Sequence, residues 1–310
     1  MSLMYFSKTV GQMKDVSVIF INDNSSSYSM YCVNSILDKS NDDLNYEIII
    51  VDNNSNELDY DRLSHFCEEI ACVSVIRSSV TLGVSEGHML GAEQCDGKYI
   101  YFLSNHVAFL NDNLRILYFF MRSNREVALC TGQMYDSNKN FHPSFNSFPG
   151  LIRSLFGVSL LNVFNPLKYP DRKSEFTFPI QVDFVTGAAM FVDGKKFKEI
   201  GGFDTNYFLH CGEEDIAMRF KKANYPTFLV PEAKFIYHMP NKACDIKVEK
   251  EFYKALFYYY NKFSVKLEYR VMKILLFLKN VKRLYKGFYY LEIALFVLKG
   301  AKTGESLRHK

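Results

Sequence analysis

Four short apolar runs, each closed by polar turn residues, restrict the fold of this chain more than any other feature. Residues 16–21 (VSVIFI) end in Asn22-Asp23-Asn24, and residues 46–51 (YEIIIV) end in Asp52-Asn53-Asn54-Ser55. Residues 73–77 form a third run, and residues 99–103 (YIYFL) stop at Ser104-Asn105-His106. Helical patterns separate them at 28–38, 58–70 and 85–95, the last entered through Thr81-Leu82-Gly83 and left through Asp96-Gly97. Strands alternating with helices at this spacing predict an α/β protein with a mainly parallel, doubly wound sheet. Such sheets bind ligands beyond the carboxyl ends of their strands. Ser104-Asn105-His106 should therefore mark the site.

The order loosens after His106. A helix is expected over 111–123 and a strand over 127–133. Residues 134–180, rich in Asn, Ser, Pro and Phe, read as a long excursion over the site. A strand at 181–185 leads into Thr186-Gly187-Ala188-Ala189-Met190, and Gly201-Gly202-Phe203-Asp204 marks a turn. A helix over 214–224 and short strands at 227–230 and 234–237, either side of Pro231, complete the body.

The net charge of +3 hides an acidic body and a basic tail: residues 246–310 hold 15 Lys+Arg against 5 Asp+Glu. That tail is helical in pattern and rich in Phe and Tyr, with Met272, Leu275, Leu276 and Leu278 set among Lys273, Lys279, Lys282 and Arg283. It suits either an anionic membrane surface or helices packed on the body or on a second subunit. The seven cysteines (Cys32, Cys67, Cys72, Cys95, Cys130, Cys211, Cys244) are odd in number, scattered and without a CxxC pair. They suggest neither a zinc knuckle nor a disulfide framework, and the expected compartment is reducing. No apolar run reaches the roughly 18 residues of a membrane span, and no signal-type segment is read, so the expected location is cytoplasmic or peripheral on the cytoplasmic face of a membrane.

Three groups of residues carry chemistry. Asp52 ends the second strand of a βαβ unit, where a carboxylate accepts hydrogen bonds from a ribose or a base; the same residues also suit an Asx turn. Gly187 lets backbone approach a ligand where a side chain would obstruct, or it forms a bulge. Glu213-Glu214-Asp215 place three acids together, which raises their pKa values by mutual repulsion and favours a usable base. A helix N-terminus enriched in acids for its macrodipole explains part of the same pattern.

In sequence order, these markers resemble the inverting family 2 glycosyltransferases with the GT-A fold, particularly the bacterial rhamnosyltransferase-like members. The resemblance runs from about Val16 to His238. It implies a nucleotide-sugar-binding half over 1–106, an acceptor-side half of the same domain over 107–245, and a basic aromatic helical tail over 246–310. The expected architecture is a GT-A central sheet with a smaller acceptor-side sheet. The expected reaction moves a sugar from a nucleotide diphosphate to a hydroxyl of a glycan or lipid-linked acceptor, with inversion, in cell-surface glycan biosynthesis.

Carried onto this chain, the resemblance assigns nucleotide binding to Asn22, Asp52, Asn54 and Gly83. It assigns the donor–acceptor loop to Gly187 and Ala188, and catalysis to the Glu213, Glu214, Asp215 cluster. The family's base position falls on Glu213, or on Glu214 if the register slips by one. His238 stands where the family often approaches the diphosphate or its metal. The family's Asp-x-Asp, which binds Mg²⁺ or Mn²⁺, is replaced by Ser104-Asn105-His106. His106 and His238 therefore become the expected metal ligands, with a protonated His106 or lost catalysis as alternatives. A catalytically degenerate scaffold that only binds partners is the competing function. Expected partners are the nucleotide-diphosphate sugar, its acceptor and a membrane surface touched through 249–300. A homodimer is left open, and no nucleic acid is expected.

Overall fold

A computed structural model describes residues 13–41, 43–239, 245–301 and 307. The first half follows the predicted alternation: β1 (Lys14–Asn22), α1 (Ser26–Lys39), β2 (Tyr46–Asp52), α2 (Glu57–Glu68), β3 (Val73–Arg77), α3 (Val84–Gln94) and β4 (Gly97–Ser104). β1, β2, β3 and β4 pair in parallel in the order β3-β2-β1-β4. Their runs are continuously apolar because both faces are covered. Val16, Val18 and Phe20 enter one core with Ile48, Ile50 and Tyr101, while Ile19, Ile49, Ile100 and Phe102 enter the other. The period of two in a strand divides one run between two cores.

The sheet then continues with mixed direction. After β5 (Val107–Phe109) and α4 (Asn113–Ser123) come β6 (Leu129–Tyr135), β7 (Phe141–His142), β8 (Phe145–Asn146) and α5 (Leu151–Phe164). Next are β9 (Ile180–Val182), β10 (Phe184–Val185), β11 (Ala189–Asp193), α6 (Gly194–Glu199), α7 (Gly212–Lys222) and β12 (Thr227–Tyr237). β11 inserts antiparallel between β4 and β6, so the sheet runs on as β4-β11-β6-β12-β5. β8 and β10 form a separate two-stranded sheet.

Three expectations are corrected. The strand expected at 181–185 is two strands in different sheets, parted at Asp183, whose carboxylate accepts from the Phe148 backbone N–H (3.2 Å) and the Lys221 ammonium (3.0 Å). The two strands around Pro231 are one, with a register shift between Val230 and Lys234, where proline's missing N–H is tolerated. The excursion over 134–180 contains α5, a helix its mixed composition concealed.

The tail forms α8 (Ile246–Phe263), α9 (Lys266–Val281), a 3-10 turn (Leu284–Lys286) and α10 (Tyr289–Leu298). These enclose a third core in which Tyr253, Tyr259, Tyr260, Met272 and Ile293 meet Tyr207 and Cys211 of the body. The expectation of helices packed on the body therefore describes the inner face of the tail. The six cysteines among the described residues are free, and Cys244 lies outside the described residues.

Candidate active site

A cavity of about 710 Å³ opens at the carboxyl ends of β1 and β4. Its lining includes Ile21 and Asp23 at the end of β1, Asn53 with Thr81, Leu82 and Val84, Ser104 and Asn105 at the end of β4, and an acceptor-side wall of Thr186, Gly187, Ala188, Glu213 and Tyr237. Sheet pairing fixes this convergence. The Ser104 N–H donates to the Ala188 carbonyl (2.9 Å) as β11 meets β4, which sets the Gly187 loop beside the end of the fourth strand.

Asn22 and Asp52, at the tips of β1 and β2, are fully buried and do not line the cavity. The Asn22 amide donates to Asp52 (2.9 Å), Ser55 (3.2 Å) and Asp59 (2.8 Å), and Asp52 also accepts from the Ser55 backbone N–H (3.2 Å). They form a strut that holds the tips of β1 and β2 together. Asn54 is exposed and takes the left-handed turn position (φ 56°). Its neighbour Asn53 reaches the cavity instead, bonded through both ends of its amide to the backbone of Leu82 (2.6 and 3.2 Å). The run Asp-Asn-Asn-Ser held this signal, but only the turn geometry says which Asn points inward. Gly83 sits against Phe208, and a Cβ there would lie 2.7 Å from the Phe208 carbonyl oxygen. That contact locks the Leu82 loop to the Phe208-Leu209-His210 segment, and His210 is a lining residue the sequence had not singled out.

The three acids of α7 fall into three environments. Glu213 faces the cavity, its Oε1 3.5 Å from where a Gly187 Cβ would stand. Glu214 turns inward, and its Oε2 is buried without a hydrogen-bond partner among the described residues. Burial, reinforced by the charge of Glu213, pushes Glu214 up to about 8, with Arg153 of α5 opposing. Asp215 is fully buried and neutralised by Arg219 (2.6 Å) and by Lys262 of α8 (2.6 Å), which also holds Asp204 at 2.6 Å. Burial alone would raise Asp204, but its bonds to Lys262 and Asn206 outweigh that and bring it to about 2. The mutual repulsion expected of three adjacent acids thus acts between two of them, and the third joins the helix to the tail.

The polar triplet also divides. The Asn105 amide donates to Ser25 (2.8 Å) and Ser29 (3.0 Å) at the start of α1. Ser104 shares a hydrogen bond with Tyr237, which burial raises and which feels the charge of Glu213. His106 and His238 pair across β5 and β12 through backbone, with the His238 N–H donating to the His106 carbonyl (2.9 Å). Their rings lie against helix α1, His106 on Tyr28 at 4.2 Å and His238 by Tyr31 at 5.5 Å, and neither lines the cavity. Among the described residues no group of three or more His, Cys, Asp or Glu is gathered to hold a metal ion. The side chains present do not fit a metal centre built by protein alone. The described lining offers two carboxylates, Asp23 and Glu213, and two imidazoles, His88 and His210, with no Lys or Arg. Burial holds His88 down to about 4, partly offset by a bond to the Leu103 backbone.

Residues 17–200 match the model of Glycosyl transferase family 2. The chain belongs to that family. It is a nucleotide-sugar glycosyltransferase. The transferase is similar to Rhamnosyltransferase WbbL of Escherichia coli (strain K12), 27% identical over 228 residues that cover 70% of this chain and 83% of that protein. It is also similar to N-acetylglucosaminyl-diphospho-decaprenol L-rhamnosyltransferase of Mycobacterium tuberculosis (strain ATCC 25618 / H37Rv). There the identity is 29% over 109 residues, 33% of this chain and 34% of that protein. A crystal structure of GalNAc-T7 with UDP, GalNAc and Mn²⁺ superposes with a TM-score of 0.61 at 16% identity, covering 79% of this chain and 48% of that one. This likeness shows that the transferase has the GT-A fold. The family match ends before α7, so the acids of that helix rest on geometry alone.

Proposed function

We propose that the transferase moves a sugar, with inversion, from a nucleoside diphosphate to a hydroxyl of a lipid-linked glycan acceptor, with Glu213 as the base. The observation that carries this is the position of Glu213. It is the one acid of α7 that lines the cavity, and it faces the Gly187 loop opposite the donor-side strand tips. Inverting transfer requires a single carboxylate to take the acceptor proton as its oxygen attacks the anomeric carbon from the side away from the departing diphosphate. Burial and the charge of Glu213 push Glu214 up to about 8, which keeps its proton on at neutral pH. Asp23, Asn53 and the Leu82–Val84 loop would receive the nucleotide, held in place by the Asn22–Asp52 strut and by Gly83.

A divalent cation in this fold neutralises the departing diphosphate. Here the donor itself would have to supply most of its ligands, because Asn105 and His106 are engaged with α1. The lipid-linked acceptor is argued from the mycobacterial relative, an N-acetylglucosaminyl-diphospho-decaprenol L-rhamnosyltransferase. It fits a chain with no helix, among the described residues, long and apolar enough to cross a membrane, and with apolar surface left on the tail. Peripheral attachment through 249–300 belongs to the same reading.

Incubation with UDP-, GDP- and dTDP-sugars, with and without Mn²⁺, is expected to release nucleotide from one donor. Glu213→Gln should lower that rate by roughly 10²–10⁴-fold while donor binding in calorimetry stays near wild type. Release unaffected by the substitution would remove Glu213 from the role. No release or binding with any donor would sink the assignment.

A further inference from the structure

Helix α5 has an unusual surface. Of its 14 residues only Leu161 is buried, although nine are Leu, Ile, Val or Phe. Phe156 is 56% exposed and Phe164 78%, and Leu167 just beyond is 91% exposed. A helix this apolar belongs in a core or against a partner. Gly157 (φ 73°) breaks it into two short segments, and both expose apolar side chains. Even an unbroken helix of 14 residues would span about 21 Å, short of the roughly 30 Å hydrocarbon core of a bilayer. It is too short to cross one.

Two further observations say what covers it. First, α5 packs on α9, and the Leu151 N–H donates to Glu268 of that helix (3.3 Å). α9 adds exposed Leu267, Ile274 and Leu278 to the same region. Second, exposed cations adjoin both helices in sequence: Lys168 and Lys173, with Asp171 between them, follow α5, and Lys266, Arg270, Lys279 and Lys282 lie on or beside α9. Two copies of such a face would repel each other, whereas an anionic bilayer attracts cations at its rim and takes up the apolar side chains.

We propose that α5, with the adjoining exposed residues of α9, is the surface on which the transferase docks onto an anionic lipid bilayer. This rests on the lipid-linked acceptor proposed above and moves the main contact from the tail to α5.

The test is co-sedimentation of the full chain with vesicles of phosphatidylcholine, alone or containing phosphatidylglycerol. Wild type should partition onto the anionic vesicles and be released by high salt. Phe164→Ser/Leu167→Ser should lose roughly tenfold or more of that partitioning. Should that pair disturb folding by circular dichroism, Leu155→Ser/Phe156→Ser is the second variant. Wild type remaining in the supernatant, or both folded variants partitioning like wild type, overturns the proposal. So does light scattering that finds a wild-type dimer and a Phe164→Ser/Leu167→Ser monomer, since a second copy would then cover the face. Nucleotide release in lipid-free solution is measured alongside. Its absence in wild type would defeat the proposed reaction while leaving the vesicle result to stand by itself.

Discussion

Glu213 and Glu214 are neighbours in sequence, yet the rotation of about 100° per residue in a helix sends them into different surroundings. Glu213 meets the cavity and Glu214 meets Arg153 and the tail core. With Glu214 pushed up to about 8, its carboxyl adds a negative charge beside Glu213 as pH passes that value. A second charge weakens the binding of a diphosphate donor. The donor KM of the wild type should therefore rise severalfold as pH passes about 8, and Glu214→Gln should flatten that rise. Steady-state kinetics across this range checks it, and an identical rise in both proteins would show that another group titrates. Residue environments of this kind are not legible from sequence. Three acids in a row announce a helix start or a base, and only their directions separate the roles.

At the scale of elements, contacts between distant segments hold the site together. The Leu82-Gly83 loop is fixed by a close approach to Phe208, and the Val84 N–H donates to the Phe208 carbonyl (2.6 Å). Gly83→Ala places a methyl 2.7 Å from that carbonyl and should cost about 1–3 kcal/mol of stability. It should also raise the donor KM, which denaturant titration and kinetics measure together. The second link is Lys262, which ties α8 to Asp204 and Asp215 at once. Burial would lower Lys262, but the two carboxylates raise it on balance. Lys262→Met leaves Asp215 with Arg219 alone and Asp204 without its cation. With Lys262 partly exposed, a loss of about 2 kcal/mol is expected, read as a lower unfolding midpoint. Sequence showed the Gly-Gly-Phe-Asp turn and the basic tail but not that one lysine joins them, because 58 residues separate Lys262 from Asp204.

For the whole molecule, burial of His88 between Phe102 and Phe203 couples the fold to pH. Its pKa is depressed from 6.5 to about 4, so the unfolded chain takes up the proton first. The stability associated with neutral His88 is complete above about 6.5 and is lost progressively as pH falls to about 4. The loss is on the order of 3 kcal/mol. Denaturant midpoints at pH 7.5 and 4.5 should show it, and His88→Asn should give a shallower decline. An equal decline in both would assign the acid sensitivity to other groups. Glu214 acts in the opposite sense. Its raised value makes the native state lose stability as pH rises from about 4.5 to about 8, and Glu214→Gln should remove that alkaline slope.

The sequence alone determined the parallel half of the sheet, the family of the chain and the strand ends at which the cavity opens. Apolar runs of strand length closed by turn residues leave a chain little choice, since backbone hydrogen bonding and burial on both faces demand the same arrangement. It also located the Gly187 loop and the acidic helix. What only the tertiary structure decided is which of those residues face the cavity. Asn53 rather than Asn54 points inward, His210 joins the wall, and His106 and His238 rest on α1. The polar triplet after the fourth strand is spent largely on bonds to α1 and to Tyr237. The physical reason is that a local pattern fixes the periodicity of an element. The direction of a given side chain depends on which distant segment packs against it, as Asp183 and the Leu-rich α5 also demonstrate.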